Sequence, residues 1–82
     1  MATQPDRLAP IADAIERYLR AHPEAADSVE GIRLWWLTGD AAGEASERVR
    51  EALERLEAAG IVERRALPGG QVIYGARRRE DA

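Results

Sequence analysis

Two stretches decide the fold: residues 49–64 read VREALERLEAAGIVER, and residues 67–74 read LPGGQVIY. Apolar residues of the first stretch recur at helical spacing, so we expect a helix that ends at Gly60, a residue type suited to the left-handed conformation after a helix. Beyond Gly60 the spacing becomes strand-like, which predicts a β-hairpin of residues 61–66 and 71–76. The predicted inward face of the helix is Ala45, Val49, Ala52, Leu53, Leu56 and Ala59.

A first helix is predicted over residues 7–21. Asp6 is its candidate N-cap, and His22 followed by Pro23 ends it, because proline disfavours the α conformation of the residue before it. The i, i+3, i+4, i+7 spacing places six apolar residues on one stripe. These are Leu8, Ile11, Ala12, Ile15, Tyr18 and Leu19.

A second, shorter helix is predicted to start at Asp27 and to run to about Leu37. Asp27 is expected to accept a hydrogen bond from a backbone N–H, and Glu30 to reach back to the cap. At 100° per residue the core face of this helix comprises Val29, Ile32 and Trp36, with Leu37 flanking it.

The order of elements, three helices followed at once by a glycine-bounded hairpin, resembles the winged-helix (winged helix-turn-helix) family over about residues 7–76. The resemblance implies an α+β, mostly α fold: a three-helix bundle followed by a two-stranded β-hairpin wing. Residues 1–6 are then an N-terminal tail and residues 77–82 a charged C-terminal tail. Many members of the family bind DNA through the third helix and the wing, and others use the same scaffold only to bind proteins.

Composition excludes several classes of function. The 82 residues suffice for one domain, and with no cysteine and a single histidine, His22, the chain has neither disulfides nor the residues for a metal site. No acid pair, phosphate-binding loop or cysteine nucleophile is present, so we expect no enzymatic activity and no cofactor. With no apolar run long enough for a membrane span or a signal peptide, we expect a cytoplasmic protein without a membrane partner.

The net charge of -3 is unevenly distributed. Residues 1–60 contain seven arginines and twelve acidic residues, whereas residues 61–80 contain five arginines and two acidic residues. An acidic protein is an unusual general nucleic-acid binder, but a local basic patch can still hold phosphates. The charge pattern therefore leaves both double-stranded DNA and protein as partner classes.

The first hypothesis is a DNA-binding transcriptional regulator, with a homodimer as its expected form. Ser46, Arg48 and Arg50 would enter the major groove, and phosphates would be held by Arg64, Arg65, Arg77, Arg78 and Arg79. The third helix is acidic, however, since it also carries Glu44, Glu47, Glu51 and Glu54. The competing interpretation is a solvated face with ion pairs from Glu44 to Arg48 and from Glu51 to Arg55.

The second hypothesis, which we favour, is a protein-binding adaptor. The second helix has more apolar residues than one core-facing stripe can hold, so Leu34 and Trp35 are predicted to be exposed and to bind a protein, with Arg33 beside them. Arg65 and Tyr74 of the wing are further interface candidates. The alternative is that Trp35 is covered by the hairpin or by the N-terminal tail.

Overall fold

The computed structural model describes residues 6–77 and has the predicted α+β, mostly helical architecture. Helix α1 spans Ala9–Ala21, and helix α3 spans Ser46–Ala58. Between them, helix α2 begins as α-helix over Val29–Gly31 and continues as π-helix over Ile32–Trp36. The remaining elements are a 3₁₀ turn, Gly39–Ala41, and three strands, β1 (Ala26–Asp27), β2 (Val62–Ala66) and β3 (Val72–Ala76).

The wing, residues 62–76, belongs to a three-stranded antiparallel sheet rather than to the predicted two-stranded one. The strand order is β1-β3-β2, in which Val62 pairs with Ala76 and Asp27 pairs with Tyr74. The close approach of β1 requires a small residue on β3, because a Cβ at Gly75 would lie 3.0 Å from the Ala25 carbonyl oxygen. Strand β1 thus ties the segment between α1 and α2 to the far strand of the wing.

One hydrophobic core joins the three helices to the sheet. The predicted inward stripe of α1 is confirmed, with Leu8 and Tyr18 partly buried at its border. The prediction for α3 is wrong at its ends, because Ala45 and Ala59 lie just outside the helix and are exposed. The fully or nearly fully buried apolar residues are Ile11, Ala12, Ile15, Leu19, Ile32, Trp36, Leu37, Ala41, Val49, Ala52, Leu53, Leu56, Val62 and Tyr74.

Two predicted helix caps differ in detail from the structure. The prediction of Asp6 as N-cap of α1 is wrong by two residues, because Leu8 is the N-cap and the helix begins at Ala9 instead of residue 7. Asp6 Oδ1 still accepts a hydrogen bond from the Leu8 backbone N–H at 3.1 Å. The prediction of Asp27 as N-cap of α2 is wrong by one residue. Ser28 is the N-cap, and its Oγ accepts from the Gly31 backbone N–H at 3.1 Å.

The end of α3 is closed as predicted by a left-handed glycine. Gly60 has φ +77°, its N–H donates to the Glu57 carbonyl, and the Ile61 N–H donates to the Leu56 carbonyl. This pair of bonds is the Schellman arrangement, which satisfies the last helical carbonyls. It also turns the chain so that Ile61 packs against the core and β2 can begin at Val62.

Within residues 6–77, none of the helices is both long enough and apolar enough to cross a lipid bilayer.

We expect Gly60→Ala to lower the free energy of unfolding by about 1–2 kcal/mol, because a side chain at positive φ is strained. The new Cβ would also lie 3.2 Å from Arg77 Nη1. Urea unfolding followed by circular dichroism measures the change. Gly60→Asn is the matched control, since asparagine tolerates the left-handed region and should recover part of the loss. Equal stability of Gly60→Ala and the wild type would contradict the assigned role of Gly60.

Candidate functional site

The outer face of α2 carries the most exposed large apolar side chains of the described residues. Trp35 is 73% exposed and Leu34 is 57% exposed. Their predicted exposure is confirmed, and the alternative that the hairpin covers Trp35 is wrong. The alternative that the N-terminal tail covers Trp35 falls mainly on residues 1–5, which lie outside the described residues. We call these two side chains the α2 patch.

The rotation of α2 that exposes the patch is set by the neighbouring Trp36. Its ring stacks on that of Tyr18, with 4.6 Å between centroids and 13° between planes, and Tyr18 in turn contacts the His22 ring at 4.5 Å. Ile32 and Trp36 are both buried on this side of the helix. Because residues 34 and 35 project from the other side, both point to solvent when Trp36 is in place.

Glu30 connects α2 to the beginning of α3. One oxygen, Oε1, accepts from Arg33 Nη2 at 2.9 Å and from Arg33 Nε at 3.2 Å, and the other accepts a short hydrogen bond from the Ser46 hydroxyl. Arg33 first, and then Ser46, hold the pKa of the Glu30 carboxyl below its usual value. The Glu30 side chain therefore places a carboxylate beside the start of α3. The prediction that Glu30 reaches back to the cap of α2 is wrong.

A second carboxylate, Asp27, lies over the first turn of α2. Its Oδ1 accepts from the Ser28 backbone N–H at 2.8 Å. A Cβ at Gly31 would lie only 2.0 Å from the same oxygen, so the carboxylate occupies the space that glycine leaves. Since Gly31 precedes Leu34 by three residues and Trp35 by four, Asp27 borders the α2 patch.

The other predicted interface residues do not form one surface with the patch. Arg33 is partly buried and bound to Glu30. Arg65 belongs to β2, which packs on α3 and β3, and its Nε donates to Glu63 Oε2 at 2.7 Å. The prediction that Tyr74 contacts a partner is wrong, because Tyr74 is only 6% exposed and belongs to the core.

The third helix presents two exposed arginines among carboxylates. Arg48 and Arg50 have no acidic partner among the described side chains, and the predicted pair from Glu44 to Arg48 is not formed. Ser46, predicted to contact DNA, donates to Glu30 instead.

Arg55 pairs with a residue far away in the sequence rather than with its predicted partner, Glu51. Its Nη1 donates to Asp6 Oδ2 at 2.6 Å. This bond lowers the pKa of Asp6 and raises that of Arg55. The pair joins α3 to the chain just before α1, so Arg55 forms a solvent-exposed tertiary ion pair instead of the predicted pair within its own helix.

The arginines of the wing are dispersed. Arg65 is bound to Glu63, and Arg64 Nε lies 4.0 Å from Glu57 Oε2. Arg77 is exposed beside Gly60, at the C-terminal end of α3, while the predicted phosphate contacts Arg78 and Arg79 lie outside the described residues. The tip of the wing, residues 66–73, contains no charged residue, and both Leu67 and Val72 are exposed there. The sequence itself shows that this tip is uncharged and that the arginines of the predicted phosphate contacts lie only on either side of it.

Sequence reasoning also missed an open groove between α1 and the segment that follows α2. Its lining includes Tyr18, His22 and Trp36, the three rings in contact, together with Thr38 and Ala41. These residues are far apart in the sequence, so only the tertiary structure brings them together. The described residues contain no group of three or more histidine and acidic side chains placed to hold a metal ion.

Comparison with known proteins adds no relative: no protein-family model, no curated protein and no solved structure matches this chain.

We predict that Gly31→Ala destabilises the wild-type protein, although alanine is favoured over glycine in a helix by about 1 kcal/mol. The added Cβ displaces the Asp27 carboxylate, which then loses its bond to the Ser28 N–H. In an Asp27→Ala background the same substitution meets no carboxylate and should raise the free energy of unfolding. The comparison requires urea unfolding of the wild type, both single variants and the double variant. Stabilisation by Gly31→Ala alone would show that Asp27 does not occupy this position.

Proposed function

We propose that this chain is a winged-helix-type domain that binds a protein through the α2 patch. The observation that carries the proposal is the exposure of Leu34 and Trp35 at consecutive positions of a helix whose Ile32 and Trp36 already fill the core. Contiguous exposed apolar side chains mark interaction sites in soluble domains, and tryptophan is enriched among the residues that dominate binding energies. No catalytic step is part of the proposal.

The geometry of the patch suits binding. Its side chains stand on a helix held by the core on one side and by the links from Glu30 to Arg33 and Ser46 on another. A rigid support lowers the conformational entropy that binding must remove. Trp35 also has only two side-chain torsions to fix, which makes it an effective anchor.

Electrostatics favour a protein partner over DNA. The beginning of α3 would approach the DNA backbone, but there the Ser46 hydroxyl already donates a hydrogen bond to the Glu30 carboxylate. Glu47 and Glu51 follow on the same helix, and the wing tip has no charged side chain to contact phosphate. Each carboxylate near a phosphate adds repulsion, so this surface is a poor match for DNA.

The second candidate function is that of a DNA-binding regulator, and one observation favours it. Arg48 and Arg50 are exposed near the start of α3 and have no acidic partner in the described part of the chain. Free guanidinium groups at these positions suit guanine edges or phosphates. Their effect is opposed by the carboxylates that surround them.

Affinity capture from the cells that produce this protein, with quantitative mass spectrometry, tests the proposal. We expect a set of proteins to be retained by the wild type, to be lost with Trp35→Ala and to be reduced with Leu34→Ala. Leu67→Ala is the matched control, because Leu67 is also an exposed apolar residue but lies at the wing tip. It should retain the same proteins as the wild type.

The purified wild-type protein and its Arg48→Ala variant are titrated separately with a random-sequence DNA duplex at several salt concentrations. A dissociation constant below about 10 μM at low salt that rises steeply with salt, and that is lost in Arg48→Ala, would contradict the proposal and support the DNA-binding alternative. Retention of the same proteins by Trp35→Ala would contradict it as well.

A further inference from the structure

We propose that α2 contains one residue more than its core contacts require, and that its π-helical turn, Ile32–Trp36, displays this extra residue at the surface as part of the α2 patch. The turn is then a positioning device for the binding surface, and it is kept at the expense of stability. The functional part of this inference rests on the proposed function, because it concerns how the site of that function is built.

The buried residues at the end of α2 have the spacing of a π turn. Ile32, Trp36 and Leu37 are all buried, which is a spacing of i, i+4 and i+5. An α-helix turns by about 100° per residue, so it brings i+3 and i+4 next to residue i and leaves i+5 about 140° away. A π-helix, with its i→i+5 hydrogen bonds, turns by about 80° per residue and brings i+4 and i+5 next to residue i. The π winding therefore lets Trp36 and Leu37 reach the core together with Ile32.

The same winding turns Trp35 away from the core. Trp35 is the third residue after Ile32, a position about 60° from residue i in an α-helix and about 120° from it in a π-helix. Leu34, the second residue after Ile32, lies about 160° away in either winding. The 73% exposure of Trp35 agrees with the π position. Trp35 thus joins Leu34 at the surface because this part of the helix is wound as a π turn.

The π turn contains a residue that the core does not need. Three residues separate Ile32 from Trp36, whereas two would suffice in an α-helix. If one of the three were removed, Ile32, Trp36 and Leu37 would have the α spacing i, i+3 and i+4, and all three could remain in the core. Leu34 is the most dispensable of the three, because it is exposed and points away from the core, whereas Arg33 is bonded to Glu30.

Keeping this residue lowers stability in two ways. The π-helix is a rare winding that occurs mostly as single turns and is frequent at functional sites. The extra residue also leaves large apolar surface in water at Leu34 and Trp35. The unusual winding and the α2 patch coincide at the same residues, and a local departure from the most stable conformation is what a binding surface requires when the core alone would not produce it.

Deletion of Leu34 tests the inference by urea unfolding. The shortened helix should adopt α winding with its core contacts intact, and the urea midpoint should rise by about 0.5 M. Leu34→Ala keeps the π turn while removing the apolar side chain, so its midpoint should equal that of the wild type. Deletion of Arg17 is the matched control, because Arg17 is an exposed residue of the regular helix α1. It rotates the following residues by about 100° relative to the preceding ones, so its midpoint should fall or the fold should be lost.

The position of Trp36 provides a second measurement. In a Trp35→Phe background, Trp36 is the single fluorophore, and deletion of Leu34 should leave it as well protected from iodide as before the deletion. The stabilised variant should nevertheless lose the proteins that the wild type retains in affinity capture, which a merely structural role of the π turn would not predict.

Four results would overturn the inference. They are a urea midpoint of the Leu34 deletion below that of the wild type, an equal rise with Leu34→Ala, loss of Trp36 protection, and retention of the same proteins by the deletion variant. The stability measurements need no partner. If the wild type retains no protein, the proposed function fails while the urea midpoints still decide how α2 is built, and a lowered midpoint leaves the capture with Trp35→Ala to decide the proposed function.

Discussion

The contact between Trp36 and Tyr18 is the constraint on which the rest of this structure depends. The ring of Trp36, buried in the core, stacks at 4.6 Å on the partly buried ring of Tyr18, and this contact fixes the rotation of α2 about its axis. Such an aromatic pair contributes about 0.5–1.5 kcal/mol beyond the burial of its area. Once Trp36 is inside, Leu34 and Trp35 must be outside, because one short helix has a single core-facing side. The exposed patch is thus a consequence of the core.

The polar contacts of α2 change the charge at the start of the next helix, α3. Glu30 binds Arg33 on its own helix and Ser46 at the start of α3, so a carboxylate stands where a DNA-reading helix would present donors to phosphate. The contact that orients α2 against α3 therefore also alters the electrostatic character of α3. One side chain thus takes part both in the packing of α2 on α3 and in the charge of the surface on which the proposed function depends.

The sequence predicted most of the fold because its strongest signals are local. Helical spacing located α1 and α3, Gly60 marked the end of α3, and the excess of apolar residues on α2 predicted the exposed patch. These features depend on neighbours within a few residues. Periodicity and turn chemistry report such short-range preferences directly.

Features that depend on distant residues were not predictable. Strand β1 has only two residues, too few for any periodicity, and it pairs with β3 beside Gly75, where a Cβ would lie 3.0 Å from the Ala25 carbonyl oxygen. Arg55 binds Asp6, 49 residues away, in preference to Glu51 on its own helix. The burial of Tyr74 is not predictable from strand alternation, because alternation alone does not say which face of the wing meets the core.

The most direct test of the central claim measures the two tryptophans separately. Trp36→Phe leaves Trp35 as the single fluorophore, and Trp35→Phe leaves Trp36. We predict that Trp35 emits at long wavelength and is readily quenched by iodide, whereas Trp36 emits at shorter wavelength and is protected. Similar protection of both indoles, or stronger protection of Trp35 than of Trp36, would contradict the described orientation of α2 and the exposure of the α2 patch.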